Sequence, residues 1–236
     1  MKSPRVRLKR QARPRTLSWS FIPDIMPSPM PKTYAGKFWG RSTVGVLVGG
    51  GAWFVLALVA GLSGVLVAVR PLFLQTVLLT LVVALLALFY TASGFRRWAL
   101  SVDIRGLVLV HVSRLVGIYF LLLYSRGQLP YAFAVPGGWG DIAVAATAVG
   151  VSAFSPTSGA AGWGVFFLWN VFGLVDILFV VGTAARLGMA APESMAALTM
   201  LPLSLLPTFL VPIIISTHVI IFLRLLASCR EGYRTF

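Results

Sequence analysis

Five ionisable side chains stand inside long apolar runs of this 236-residue sequence: His111, Arg114, Asp141, Asp176 and His218. Hydrocarbon penalises each of them, so each should turn toward a partner or a water-filled path rather than toward lipid. His111 and His218 are the two histidines of the chain. Two neutral imidazoles on facing helices at similar depth, with a flat apolar slot between them, are what a bis-histidine b-type haem requires. His111 lies three residues before Arg114 and shares a helical face with it, so Arg114 would meet a haem propionate. In that reading His111 and His218 are metal ligands only as haem-iron ligands, because two ligands alone do not make a zinc site. The competing roles are a hydrogen bond from each histidine to a neighbouring helix and a place on a proton or substrate path.

The two aspartates differ in setting. Asp176 is flanked by Val175 and Ile177 with no turn nearby. A pair with Arg114 requires the long arginine side chain to reach toward the membrane centre; unpaired, Asp176 would carry a proton and relay it. Asp141 follows Pro136-Gly137-Gly138-Trp139-Gly140, a turn-like run. It reads either as a helix N-cap at the outer interface or as an acid at the mouth of a glycine-lined re-entrant segment, with 128–136 dipping into the membrane. Together Arg114, Asp141 and Asp176 would line a substrate or proton path. Asn170, Ser113, Ser216 and Thr217 add neutral polarity, with Ser113 off the His111–Arg114 face.

These residues must be positioned by membrane helices. Hydrophobic residues make up 58% of the chain and charged ones 11%, too few charges to cover a soluble surface. The apolar runs are long enough to cross a hydrocarbon core. The sequence predicts an all-α polytopic bundle of six spans, over 43–69, 72–93, 104–124, 138–154, 163–185 and 198–227. A basic, Pro-rich disordered tail (1–41) precedes the bundle (42–228) and a short tail (229–236) follows. Gly45, Gly49, Ala57, Gly61 and Gly64 suit close helix approach in the first span. Pro202, Pro207 and Pro212 predict a kink in the sixth.

The net charge of +14 has a distribution that argues against nucleic-acid binding. All four lysines (Lys2, Lys9, Lys32, Lys37) precede the first apolar run, and the tail would favour anionic lipid headgroups. Arginine bias puts both termini in the cytoplasm. The inner side then holds the tail, Arg96, Arg97, Arg105, Arg230 and Arg234, and the outer side Arg70, Arg126 and Arg186. Omitting the fourth span would place the C-terminal arginines outside. Trp39, Trp98, Trp139 and Trp163 fall at predicted span ends, as an interfacial belt expects. Preference for arginine over lysine suggests a bacterial inner membrane; the Arg-rich, acid-poor tail makes the mitochondrial inner membrane the alternative.

No phosphate loop, His-Glu-x-x-His or Gly-x-Ser-x-Gly occurs, and no lysine in a span could hold a retinal Schiff base. The lone Cys229 allows no intrachain disulfide. The function expected first is a b-type haem-binding redox subunit. The alternatives are a small-molecule or proton-coupled transporter, and an assembly subunit whose partners are other membrane proteins.

Overall fold

The computed structural model describes residues 40–69, 71–156 and 159–234. The tail read over 1–41 lies outside them except for its last two residues. With no water in the hydrocarbon core, a spanning chain must satisfy its own backbone hydrogen bonds, and these apolar runs do so as helices. In chain order they are α1 (Arg41–Leu62), α2 (Pro71–Thr91), α3 (Ser93–Ser101), α4 (Ile104–Leu109), α5 (Gly117–Ser125), α6 (Tyr131–Phe154), α7 (Gly159–Ala190) and α8 (Val211–Arg234). A 3₁₀ segment, Val110–Val116, joins α4 to α5 into one span. A second, Pro192–Thr199, follows α7, and a π turn, Leu206–Leu210, leads into α8. Six of these stretches are long and apolar enough to cross a membrane, and there is no strand among the described residues.

Four spans differ in their bounds from the sequence reading, the fifth by running Gly159–Ala190 instead of 163–185. The first span ends at Leu62, and turns containing Gly64 at φ 71° fill the stretch read as helix to residue 69. The fourth begins at Tyr131, seven residues before the expected 138. Pro130, in extended conformation, is its N-cap, and Pro136 sits inside it. As the sixth residue, Pro136 forfeits the bond to the Ala132 carbonyl and crowds that carbonyl with its ring, a cost that close packing against neighbouring helices offsets. There is thus no re-entrant dip, Asp141 is not an N-cap, and Trp139 lies eight residues into the helix, facing outward at 61% exposure. The sixth crossing starts at the π turn; Pro202 lies in its approach, Pro207 in the π turn itself and Pro212 in the first turn of α8, so the break precedes α8 instead of kinking its middle.

Two apolar clusters build the interior. One contains Phe120, Phe133, Ile177, Val180 and Ile214; the other contains Val108, Val144, Phe166, Trp169 and Ile221. On every one of the four inner helical spans, the polar residues fall between the segments that feed these two clusters. The result is a polar layer near mid-depth with an apolar core on each side.

Where glycine permits it, helices touch backbone to backbone. A Cβ on Gly117 of α5 would fall on the Gly138 carbonyl of α6 and 2.8 Å from Asp141 Cβ. A Cβ on Gly138 would lie 2.9 Å from the Gly117 carbonyl. By contrast a Cβ on Gly45, Gly49, Gly50 or Gly51 of α1 would meet nothing within 4 Å. Of the small residues expected to pack closely, Ala57 is buried and Gly61 faces Ser204 and Leu201. Otherwise α1 is held by Trp53, whose Nε1 donates to the Thr208 carbonyl at 2.9 Å, and by the Phe209 ring against Trp53 and Phe54.

Gly117→Ala should therefore overpack the α5–α6 contact and destabilise the protein by about 1–3 kcal/mol. Gly49→Ala should be neutral or slightly stabilising, since alanine is the better helix former. Thermal unfolding of the two variants in one detergent checks the contrast; equal midpoints would refute it.

Candidate functional site

The third span owes its buried face to a period of three. Val108, His111, Arg114, Gly117, Phe120 and Leu123 are all buried. In an α-helix each three-residue step turns the side chain by about 60° off the line. In the central 3₁₀ segment residues i and i+3 eclipse, so His111 and Arg114 point the same way. Ser113 is exposed, its hydroxyl donating to the Val110 carbonyl, and takes no part.

Arg114 is 1% exposed, and two helices, α6 and α7, supply its three partners. Its Nε donates to Asp141 Oδ1 at 2.6 Å and its Nη1 to the Gly173 carbonyl at 2.9 Å. Its Nη2 donates to Asp176 Oδ2. Asp141 arrives on a stripe of small residues along α6, Ala134, Gly138, Ala145 and Ala148, that lets the helix press against its neighbours. Asp176 arrives on Asn170-x-x-Gly173-x-x-Asp176, one face of α7. Gly140 clears its path: a Cβ there would overlap the Asp176 carboxylate. The Arg114–Asp176 pair weighed from the sequence is thus joined by Asp141, which the extended α6 carries to mid-depth.

One turn away the two histidine rings touch, with centroids 4.1 Å apart and planes at 45°. Both residues are fully buried. His218 Nδ1 is 2.7 Å from Asn170 Oδ1, while Asn170 Nδ2 donates to the His218 carbonyl. The amide oxygen can only accept, which puts a proton on His218 Nδ1. His111 Nε2 is 3.2 Å from Thr217 Oγ1, whose own hydroxyl donates to the Ile213 and Ile214 carbonyls. That assigns the His111 proton to Nε2. The remaining nitrogens, His111 Nδ1 and His218 Nε2, have no hydrogen-bond partner within bonding geometry among the described residues. A Cβ on Gly173 would lie 2.6 Å from the His218 ring, so that glycine serves both the arginine and the histidine.

Sequence reasoning placed both histidines together, but the arrangement does not fit a haem. A metal–imidazole bond is about 2 Å, so axial rings on either side of a porphyrin stand roughly 6 Å apart, centre to centre. Here the rings pack on each other at 4.1 Å with no slot, and the N–H donors of Arg114 meant for a propionate are directed at Asp141, Gly173 and Asp176. Among the described residues no group of three or more His, Cys, Asp or Glu could hold a metal ion.

The sequence reading missed Gly173, Trp169 and Thr147. Trp169 stands edge-on to His111 at 5.1 Å and donates from Nε1 to Thr147 Oγ1 at 3.2 Å. The three-residue spacing of Asn170, Gly173 and Asp176 was available as a signal; the tryptophan carried none that set it apart from other apolar residues.

From Arg114 and Asp141 a narrow cavity extends between α2, α7 and the approach to α8. Its volume is ≈ 90 Å³. Apart from the two charged residues, Gln75 and Thr199 are the polar side chains in its wall.

Fold and site together define a polytopic, all-helical membrane protein with an arginine–dicarboxylate centre inside the bundle. The chain belongs to the family described as a domain of unknown function, DUF8737, which matches residues 71–226. That range contains the whole polar layer and omits α1. No curated protein and no solved structure matches the chain.

Removing one member of a buried ion cluster strands the others. Arg114→Met alone should cost about 3–5 kcal/mol, and the triple variant Arg114→Met, Asp141→Asn, Asp176→Asn should recover much of that loss. Denaturant titration of both variants tests the coupling; a triple variant no more stable than the single would show that the charges act independently.

Proposed function

We propose that the chain is a small proton-linked carrier or permease subunit with Arg114, Asp141 and Asp176 as its working centre. The charge count carries this reading: one guanidinium is shared by two carboxylates, leaving one surplus negative charge in the layer. Two charges 4 Å apart interact far more strongly in a low-dielectric interior than in water, so the surplus is met by a proton on one of the two aspartates. Removing that proton, or replacing it by another cation, changes the force on Arg114 and on the three helices that hold it. The 3₁₀ segment of the third span and the π turn before α8 are where the helices depart from regular geometry, and such places often mark functional hinges.

A recess on one end of the bundle, separated from the narrow cavity by a single segment, supports the reading. Between the 126–130 and 191–205 connections lies a recess of ≈ 580 Å³ lined by Gln128, Glu193 and Ser194, among others. The Pro192–Thr199 segment contributes Glu193 and Ser194 to this recess and Met195 and Thr199 to the narrow cavity beneath. It stands between the aqueous face and Arg114. The haem reading has no comparable support, given the contact between the two rings. The assembly-subunit reading keeps one observation, the open glycine face of α1, and a stoichiometric copurifying membrane partner would favour it.

Infrared difference spectra of the purified protein should show one carboxylic-acid band present at low pH and lost as pH rises. The band should vanish or shift in Asp141→Asn and Asp176→Asn. A wild-type protein with no titrating carboxyl band overturns the proton-linked reading.

We place the protein, by arginine bias, in a bacterial inner membrane (alternatively the mitochondrial inner membrane) with both termini inside and the basic tail against anionic headgroups. A fluorescent protein fused after residue 236 should then light up in a bacterial host, and alkaline phosphatase inserted at Gly127 should be active. The reverse pattern would invert the topology.

A further inference from the structure

We propose that the narrow cavity binds a slender apolar molecule bearing a single amine, whose ammonium group takes the surplus negative charge of the Arg114–Asp141–Asp176 cluster in place of the proton. This deepens the proton-linked reading and rests on it.

The cavity sets the shape. Leu78, Phe120, Ile177, Val180 and Met195 wall it, and it is too narrow for a globular ligand. An occupant must be chain-like or flat, with its polarity gathered at one end, since a polar group along the apolar wall would lose its hydration without a partner. The polar end belongs at Asp141, which is 3% exposed and lines the cavity together with Arg114. Asp141 Oδ1 accepts from Arg114. Since Asp141 also lines the cavity, its second carboxylate oxygen is the acceptor for an incoming donor.

The charge sets the chemistry. An anionic head would add to an existing negative surplus, and a neutral hydroxyl would leave that surplus unmet. An ammonium supplies three N–H donors and one positive charge. The titratable and charged groups around Asp141 are Arg114 and His111 from the third span, Asp176 from α7 and His218 from α8. With both imidazoles neutral, the layer has room for one extra positive charge, and a proton and an ammonium compete for it. Binding the amine therefore releases one proton from the carboxyl pair, and protonating the pair expels the amine.

The test uses the full chain in lipid nanodiscs and three photoreactive probes of equal length: an aliphatic amine, the matching carboxylate and the matching alcohol, each with a mid-chain diazirine. The amine should attach to cavity residues such as Leu78, Ile177 and Met195. Unlabelled amine should compete it away, and its labelling should fall several-fold in Asp141→Asn. In weak buffer a pH indicator should report about one proton released per amine bound. If Asp141→Asn does not fold, the wild type suffices: lowering the pH should suppress amine labelling and spare that by the alcohol. Equal labelling by all three probes, or adducts confined to lipid-facing residues such as Val59 and Leu168, overturns the proposal, as does preference for the carboxylate. A titrating carboxyl band without amine labelling refutes the ligand and spares the proton-linked centre; loss of both refutes both.

Discussion

An arginine in hydrocarbon must keep its charge and must not keep it alone. Arg114 is the residue from which the rest of the interior follows. Its guanidinium cannot give up its proton in a protein, so three helices converge to meet it: α6 with Asp141, α7 with Asp176 and the Gly173 carbonyl, and its own span, tightened so that the side chain aims at them. Bonds to ionised partners are roughly twice as strong as neutral ones, and in a medium without water there is no solvent to take their place. Between two apolar clusters, the cluster of charges fixes how those helices register against one another.

The irregular features of the backbone serve that convergence. The 3₁₀ segment keeps His111, Arg114 and Gly117 in line, where a continuous α-helix would carry them around the axis. Gly117 and Gly138 bring α5 and α6 into backbone contact at the level of Asp141. Gly140 leaves room for the Asp176 carboxylate, and Gly173 leaves room for the His218 ring while exposing a carbonyl to Arg114. Four glycines thus surround the charged groups, whereas those near the start of α1 face nothing among the described residues. The same residue type does packing work in one helix and none in the other, and the difference lies in what stands opposite.

That asymmetry explains what could be read from the sequence. Six crossings follow from the length and apolarity of the runs, which depend on lipid alone. The inward turn of His111, Arg114 and His218 follows from the cost of exposing them. Asp141 was misplaced because Pro136 and three nearby glycines (Gly137, Gly138 and Gly140) look like a turn. In water they would make one; in a bundle, neighbouring helices hold the segment helical, and the acid moves from the interface to the centre. Trp139 was misplaced for the same reason. The contact of the two imidazoles at 4.1 Å lay beyond sequence reasoning too, since depth along a helix says that two rings can meet and nothing about whether a third body fits between them.

A packing role would account for one arginine and one carboxylate. Buried ion pairs are poor sources of stability, and apolar side chains of similar volume often do as well or better. The second carboxylate is the feature that packing leaves unexplained: it adds desolvation cost and repels the first, and a neutral asparagine at either position would still accept from Arg114. An unbalanced cluster has two states of occupation, with the surplus charge met or unmet, and each state pulls differently on the helices that carry Arg114, Asp141 and Asp176. A balanced pair has one. The excess of a single negative charge, held where water is scarce and beside a narrow apolar cavity, turns a structural clasp into a site with something to bind.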